Sequence, residues 1–341
     1  MHNVYLPSQY QFSHDYCFFL HDQLLETLKS GEESDIFSHF IDIKNYPDFP
    51  EEPLSGEELV GWIEKSDKKA DLYVFYYKQI VLALLSDMLH FVYEALRCSE
   101  KGKLTVTYAL LRKPLKENLF YLEWLLADSV EMLKRFDSED SARALDKIEP
   151  EKKRDIIRRA MNNTGSGEWI NHEFIYDLRF DKKCLFGYEK AFQQANHLVT
   201  TYRHFPTEKT NFNFVFSDED SVGSQWEGLY AFLPLLLFHT VAIIEGLVSR
   251  FAKRKDAFDL TPIRTVIGVM FCLREFPHNA RIDDIVKDVR QMISQMSLRC
   301  SHCGALIDFH DDNLLGLYQD CRIICNKCNQ NMDFMNSPLI S

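Results

Sequence analysis

Four cysteines near the C-terminus constrain this chain more than any other feature: Cys300-Ser-His-Cys303 and Cys325-Asn-Lys-Cys328. Two intervening residues let both sulfurs of a tight knuckle reach one tetrahedral ion. About twenty residues between the pairs leave room for a short β-hairpin that brings the knuckles together. Gly304 and Asn329 follow the two pairs, and both residue types tolerate the left-handed backbone that closes such a knuckle. Residues 296–341 therefore read as a zinc ribbon in which Cys300, Cys303, Cys325 and Cys328 bind Zn2+ as thiolates. A four-thiolate shell keeps no position for water, so the ion is expected to be structural rather than catalytic. His302, His310 and Cys321 remain open as substitute ligands.

Cys17, Cys98, Cys184 and Cys272 stand singly in helical stretches. That usage suits a reducing compartment with a metal site better than a secreted disulfide framework. The N-terminal Met-His-Asn-Val-Tyr-Leu-Pro lacks the basic and apolar regions of a signal peptide, and a cytoplasmic location is expected. The formal net charge of −12 argues against general electrostatic attraction to nucleic acid or anionic lipid and leaves only local patches for such contact. Within the ribbon, Asp308, Asp311, Asp312 and Asp320 face only Arg299, Arg322 and Lys327. DNA contact through it is disfavoured, and protein contact or fold stabilisation is favoured.

The rest of the chain carries helical patterns. Apolar residues recur at helical spacing from Asp71 to Cys98, including Leu72, Phe75, Ile80, Leu84, Leu85, Leu89 and Val92. Gly102 breaks the pattern, and a second long helix is expected from Leu104 to Ala127, antiparallel to the first. Pro114 lies inside it and should leave the carbonyl near Leu110 unpaired and kink the helix. Ser55-Gly-Glu-Glu58 has the form of a capping box, and Thr261-Pro262 that of a helix start. Further helices are expected at residues 14–28, 34–43, 129–136, 138–147, 150–162, 168–178, 188–203, 226–252, 261–275 and 281–296. Asn211 to Phe216 alternates polar and apolar residues, as a lone strand or an extended loop would. The fold class is mainly α: an up-and-down helical bundle with a small C-terminal zinc-ribbon β module. Three segments follow, an aromatic-rich 1–67, a bundle 68–295 and the ribbon.

Gly228 to Val248 is apolar and precedes Arg250 and Lys253-Arg254-Lys255, which mimics a membrane anchor. Pro234, His239 and Glu245 interrupt it, leaving a clean stretch shorter than the roughly 20 residues of a span. A buried core helix is the expectation, and no membrane partner.

Three constellations are candidates for chemistry. Asp87, His90 and Glu94 share one face of the first long helix, either as a polar stripe or as a site where His90 does mild acid–base work. His197 to Ser221 mixes His197, Arg203, His204 and Lys209 with aromatics. Such a loop could hold a nucleotide or single-stranded RNA by stacking and phosphate pairing, or be a solvated loop pinned by Phe212, Phe214 and Phe216. Arg112 and Glu117 flank the proline in Leu-Leu-Arg112-Lys-Pro-Leu-Lys-Glu117-Asn-Leu.

An antiparallel hairpin of long helices with an arginine early in the second resembles the HEPN-type helical bundles of prokaryotes, over residues 68–252. The resemblance implies a dimer, a stress or phage-defence setting, and in active members a metal-independent ribonuclease whose arginine stabilises phosphate while a downstream histidine moves protons. In this chain no arginine has a histidine five to seven residues downstream. Arg112…Glu117 puts glutamate in the histidine's place, and Arg274…His278 is one residue short. A glutamate beside an arginine is held ionised and is a poor proton donor at neutral pH. The leading expectation is thus a binding or assembly protein whose partners are a protein, a second copy, or RNA or a nucleotide. The rival is a ribonuclease or nucleotide-processing enzyme using Arg112, Glu117 and His90 or His197.

Overall fold

The computed structural model describes residues 5–40, 49–50, 52–66, 68–137, 144–215, 218–252, 261–274, 282–295 and 297–333, with backbone alone at 282–286 and 333. It is mainly helical, with a single two-stranded sheet among the described residues.

The first helix, α1 (Gln11–Glu33), buries Tyr16, Cys17, Leu20, Leu24 and Leu28, which recur at three- and four-residue steps. It is followed by a turn at 34–37 and irregular backbone at 38–40 rather than the helix expected there, while 41–43 lie outside the described residues. In α2 (Gly56–Lys65) the capping box forms as read: Ser55 accepts from the Glu58 N–H, and the Glu58 carboxylate accepts from the Ser55 N–H.

Helix α3 (Lys69–Glu100) and α4 (Leu104–Arg112) form the expected hairpin, turned by Gly102 at φ +69°. The proline defect takes the form of a π-helical segment, Lys113–Asn118, continuing into α5 (Leu119–Ala127). The Leu119 N–H donates to the Pro114 carbonyl, five residues back. One widened turn thus accommodates the missing donor of the proline. Next come α6 (Ser129–Phe136), α7 (Pro150–Thr164), α8 (His172–Phe180) and α9 (Tyr188–Asn196). Of the helix expected over 138–147, residues 138–143 lie outside the described residues and Leu145–Lys147 form one 3-10 turn. Helix α9 stops seven residues earlier than expected, because the chain becomes extended at His197. Residues 211–212 are irregular and 213–215 form a turn, so no strand is present over 211–215, and Phe216 lies outside the described residues.

Helix α10 (Glu219–Val248) begins earlier than its apolar pattern, where Asp218 accepts from the Ser221 N–H as an N-cap. It runs through the middle of the protein, packed on α1 and α5, and buries Leu229, Leu233, Leu236, Leu237, Ile244 and Leu247. Both α3 and α10 are long and apolar enough to cross a membrane by length and composition, and 67% of α10's apolar window is buried inside the protein. Helices α11 (Thr261–Arg274) and α12 (Ile282–Gln295) follow.

The C-terminal part differs from the plain β ribbon expected. The stretch between the cysteine pairs is not a hairpin but a helix, α13 (Asp311–Asp320), and the hairpin β1 (Arg322–Ile324) with β2 (Asn331–Asp333) embraces the second knuckle instead. Asp311 and Asp312 favour the positive N-terminus of α13, His310 caps it, and Leu314, Leu317 and Tyr318 make its buried stripe. One continuous apolar cluster takes residues from α1, the α3–α5 hairpin, α10, α11 and this C-terminal part.

Candidate functional site

The two cysteine pairs adopt the same local form. In the first, the Gly304 N–H donates to the Cys300 carbonyl (2.9 Å) and the Cys300 N–H to the Ala305 carbonyl (2.8 Å). In the second, the Asn329 N–H donates to the Cys325 carbonyl (2.8 Å) and the Cys325 N–H to the Gln330 carbonyl (3.0 Å). Gly304 and Asn329 take the left-handed backbone anticipated for them, at φ +70° and +55°. The N–H groups of His302 and Lys327 each point at a sulfur, those of Cys300 and Cys325, at 3.4 Å.

The folded knuckles bring all four sulfurs together. Cys300 Sγ lies 3.6 Å from Cys328 Sγ and Cys303 Sγ 3.7 Å from Cys325 Sγ, and the four lie within 4.8 Å of one another. Backbone N–H groups of Cys328 and Lys327 hold the Cys325 thiol down to about 6, which favours its thiolate form. At Cys328 the Gln330 backbone works the same way, but burial and the three neighbouring sulfurs outweigh it and push the thiol up to about 12. Four sulfurs this close cannot all ionise without a cation between them. The cluster could hold a metal ion, and its donor set suits one that prefers soft, closed coordination. His302 is exposed, His310 is engaged as the cap of α13, and Cys321 closes that helix at φ +53°.

Asn313, buried on α13, ties the second knuckle to the segment that follows the first. Its Nδ2 donates to the Asp308 carbonyl (2.8 Å) and to Asn326 Oδ1 (3.2 Å), and its Oδ1 accepts from the Ile324 N–H (3.0 Å). Tyr318, one helical face along, packs its ring against Phe12, Tyr16 and Phe19 of α1 at 5.3 to 5.8 Å. Arg264 of α11 donates twice to the Tyr318 carbonyl, and Arg274 and Arg290 both pair with Asp311. The cysteine-bearing part is therefore fastened to the helical body through α13.

Arg112 Nη1 donates to Glu117 Oε1 at 3.0 Å, across the start of the π segment, with more than a third of each side chain exposed. His90 is exposed on α3 and makes no hydrogen bond or ion pair among the described residues. Asp87, one turn before it, accepts from Lys113 (2.8 Å) and Asn118 (2.6 Å). Burial works to raise the Asp87 pKa, but these bonds with the charges of Lys113 and His90 prevail and hold the carboxyl below its ordinary value. Arg112 and Glu117 thus pair with each other, and His90 is not joined to either. His197 is likewise exposed; its carbonyl accepts from Asn213. His278 lies outside the described residues.

One charged cluster had no signal in the sequence. Glu123 on α5, Arg179 on α8 and His239 on α10 are all fully buried. Arg179 donates to both Glu123 oxygens (2.9 and 2.7 Å), and His239 Nε2 lies 2.7 Å from Glu123 Oε1. Burial acts to raise the Glu123 pKa, yet the Arg179 and His239 interactions outweigh it and hold the carboxyl below its usual range. The histidine that looked like an interruption of an apolar helix is a partner in this core ion pair. A cleft of about 600 Å³ lies elsewhere, between α9, the first turns of α10 and the loop from His204 to Phe214.

No family model, curated protein or solved structure matches this chain.

Proposed function

We propose that this is a cytoplasmic, zinc-stabilised helical binding or assembly protein, acting through a protein partner, a second copy, or contact with RNA or a nucleotide. The observation that carries the metal assignment is the spacing of the sulfurs. A Zn–S bond of about 2.3 Å in a regular tetrahedron sets sulfurs about 3.8 Å apart, against 3.6 Å for Cys300–Cys328 and 3.7 Å for Cys303–Cys325 here. Closed four-sulfur coordination leaves no site for an activated water, so the zinc would stabilise the fold rather than catalyse. The reading as a binding protein rests on the exposed Arg112–Glu117 ion pair, in which each charge is satisfied by the other. A prokaryotic stress or defence setting follows only from the HEPN-like pattern of the hairpin.

The rival reading, a HEPN-like ribonuclease built on Arg112, Glu117 and His90, meets the same experiment. Purified protein and Arg112→Ala are incubated with total RNA, with and without chelator, while thermal unfolding is followed in parallel. The binding reading expects no cleavage by either protein and a lower melting temperature after chelation. Cleavage by the native protein that disappears in Arg112→Ala at unchanged stability would replace it with the ribonuclease.

A further inference from the structure

The cleft beside α9 is built from three sides. Its floor is Tyr108 and Tyr188, whose hydroxyls donate to the carbonyls of Gln225 (2.8 Å) and Leu229 (2.6 Å) on α10. One wall carries Phe186, Lys190 and Gln194, and another the loop from His204 to Phe214. That loop is held in a defined shape. Thr200 Oγ1 donates to the Phe205 carbonyl (2.8 Å), Thr207 Oγ1 to Asn213 Oδ1 (2.8 Å), and Asn213 Nδ2 to the His197 carbonyl (2.7 Å). Thr210 and Phe214 sit at φ +63° and +62°, a backbone region that β-branched and bulky residues adopt only under constraint. The strain has a visible result: Phe214 turns inward to lie 6.2 Å from the Tyr108 ring, while Phe212 stays 46% exposed at the cleft.

Phe186 is also half exposed, with its ring fixed by Phe174 (6.0 Å) and Phe232 (5.4 Å). Two phenyl faces from separate segments thus meet the cleft. Among the described residues, the side chains of Lys190, Gln194, His204 and Glu208 line it without any hydrogen bond or ion pair to the protein. These are an aromatic platform, an amide and a carboxylate for the polar edge of a ring, and one permanent cation with a histidine for an anion. The volume falls within the usual range of small-molecule sites, roughly 300–1,000 Å³.

We propose that this cleft binds a mononucleotide, its base stacked on Phe212, its edge read by Gln194 and Glu208, and its single phosphate held by Lys190 and His204. One permanent cation, with exposed Glu219 and Asp220 at the adjacent start of α10, suits one phosphate better than a triphosphate or a strand. The proposal deepens the nucleotide-contact reading above by giving it a site and a ligand class. It is independent of the zinc assignment, which metal analysis of the same samples checks separately.

The test is calorimetric titration of the full chain with the four common ribonucleosides, their 5′-monophosphates, and pentameric oligoadenylate and oligouridylate RNA. At least one monophosphate should bind saturably. Phe212→Ala should weaken it about tenfold, a typical loss for one stacked base, at an unchanged melting temperature. Lys190→Ala should weaken the monophosphate and leave the matching nucleoside unaffected. Absence of binding by every monophosphate would overturn the proposal, and so would binding insensitive to both substitutions. RNA pentamers binding more tightly than any mononucleotide would overturn it in favour of a single-strand site.

Discussion

Glu123 carries a charge into the core. It is a buried carboxylate held by two partners on two other helices, and removing one member of such a cluster leaves uncompensated charge in the interior. Glu123→Ala should cost about 3–5 kcal/mol, read as a fall in urea midpoint at neutral pH. Because the folded pKa of Glu123 is lowered, its contribution is complete above the unfolded carboxylate pKa. It is lost as pH falls through the lowered folded value. The gap between wild type and Glu123→Ala should therefore narrow on the acid side, and a gap that widens there would contradict this. Asn313 offers a second residue-scale check: Asn313→Ala leaves the Ile324 N–H and the Asp308 carbonyl without their partner. A loss of about 1–3 kcal/mol is expected, with thiols of the cysteine cluster more reactive. Neither residue was legible beforehand, since a lone Glu, Arg or Asn acquires meaning only through partners distant in sequence. His239 reads locally as an interruption of an apolar helix, because its partner Glu123 lies on another element.

Local chemistry made several elements readable, and long-range chemistry hid others. The capping box at Ser55, the Thr261-Pro262 start and the periodicity of α3 are signals that neighbouring residues generate and satisfy among themselves. Pro114 announces a defect but not its form, and the π turn that results carries Asn118, bonded to Asp87 across the hairpin. Asn118→Ala should thus cost about 1–3 kcal/mol while the far-ultraviolet spectrum stays helical; a neutral effect would mean that the proline alone sets the turn. The early stop of α9 reflects the Thr200, Thr207 and Asn213 bonds, which favour extended backbone after His197. Helix α13 was missed although its sequence carried the marks, two acids in the first turn and apolar residues at Leu314, Leu317 and Tyr318. Where α11 meets α1, Gly268 is required by packing, because an added Cβ would lie 2.3 Å from the Tyr16 ring. Gly268→Ala should destabilise by about 1–3 kcal/mol through overpacking, seen as a lower denaturant midpoint.

For the whole molecule, the cysteine cluster lies at the end of a chain of contacts that reaches the core. Sulfurs hold the knuckles, Asn313 joins the second knuckle to α13, Tyr318 seats α13 in the aromatic box of α1, and α1 packs on α10. The knuckles and their left-handed closing residues were legible because ligand spacing is local; the seat of Tyr318 against Phe12, Tyr16 and Phe19 joins residues some three hundred positions apart and was not. The measurement that bears most directly on this account is metal content by elemental analysis, paired with titration of reactive thiols, on protein purified without chelator or added metal. One zinc ion per chain, with four thiols becoming reactive only after chelation, is the predicted result. A chain free of divalent metal, with all four of those thiols reactive from the outset, would contradict it.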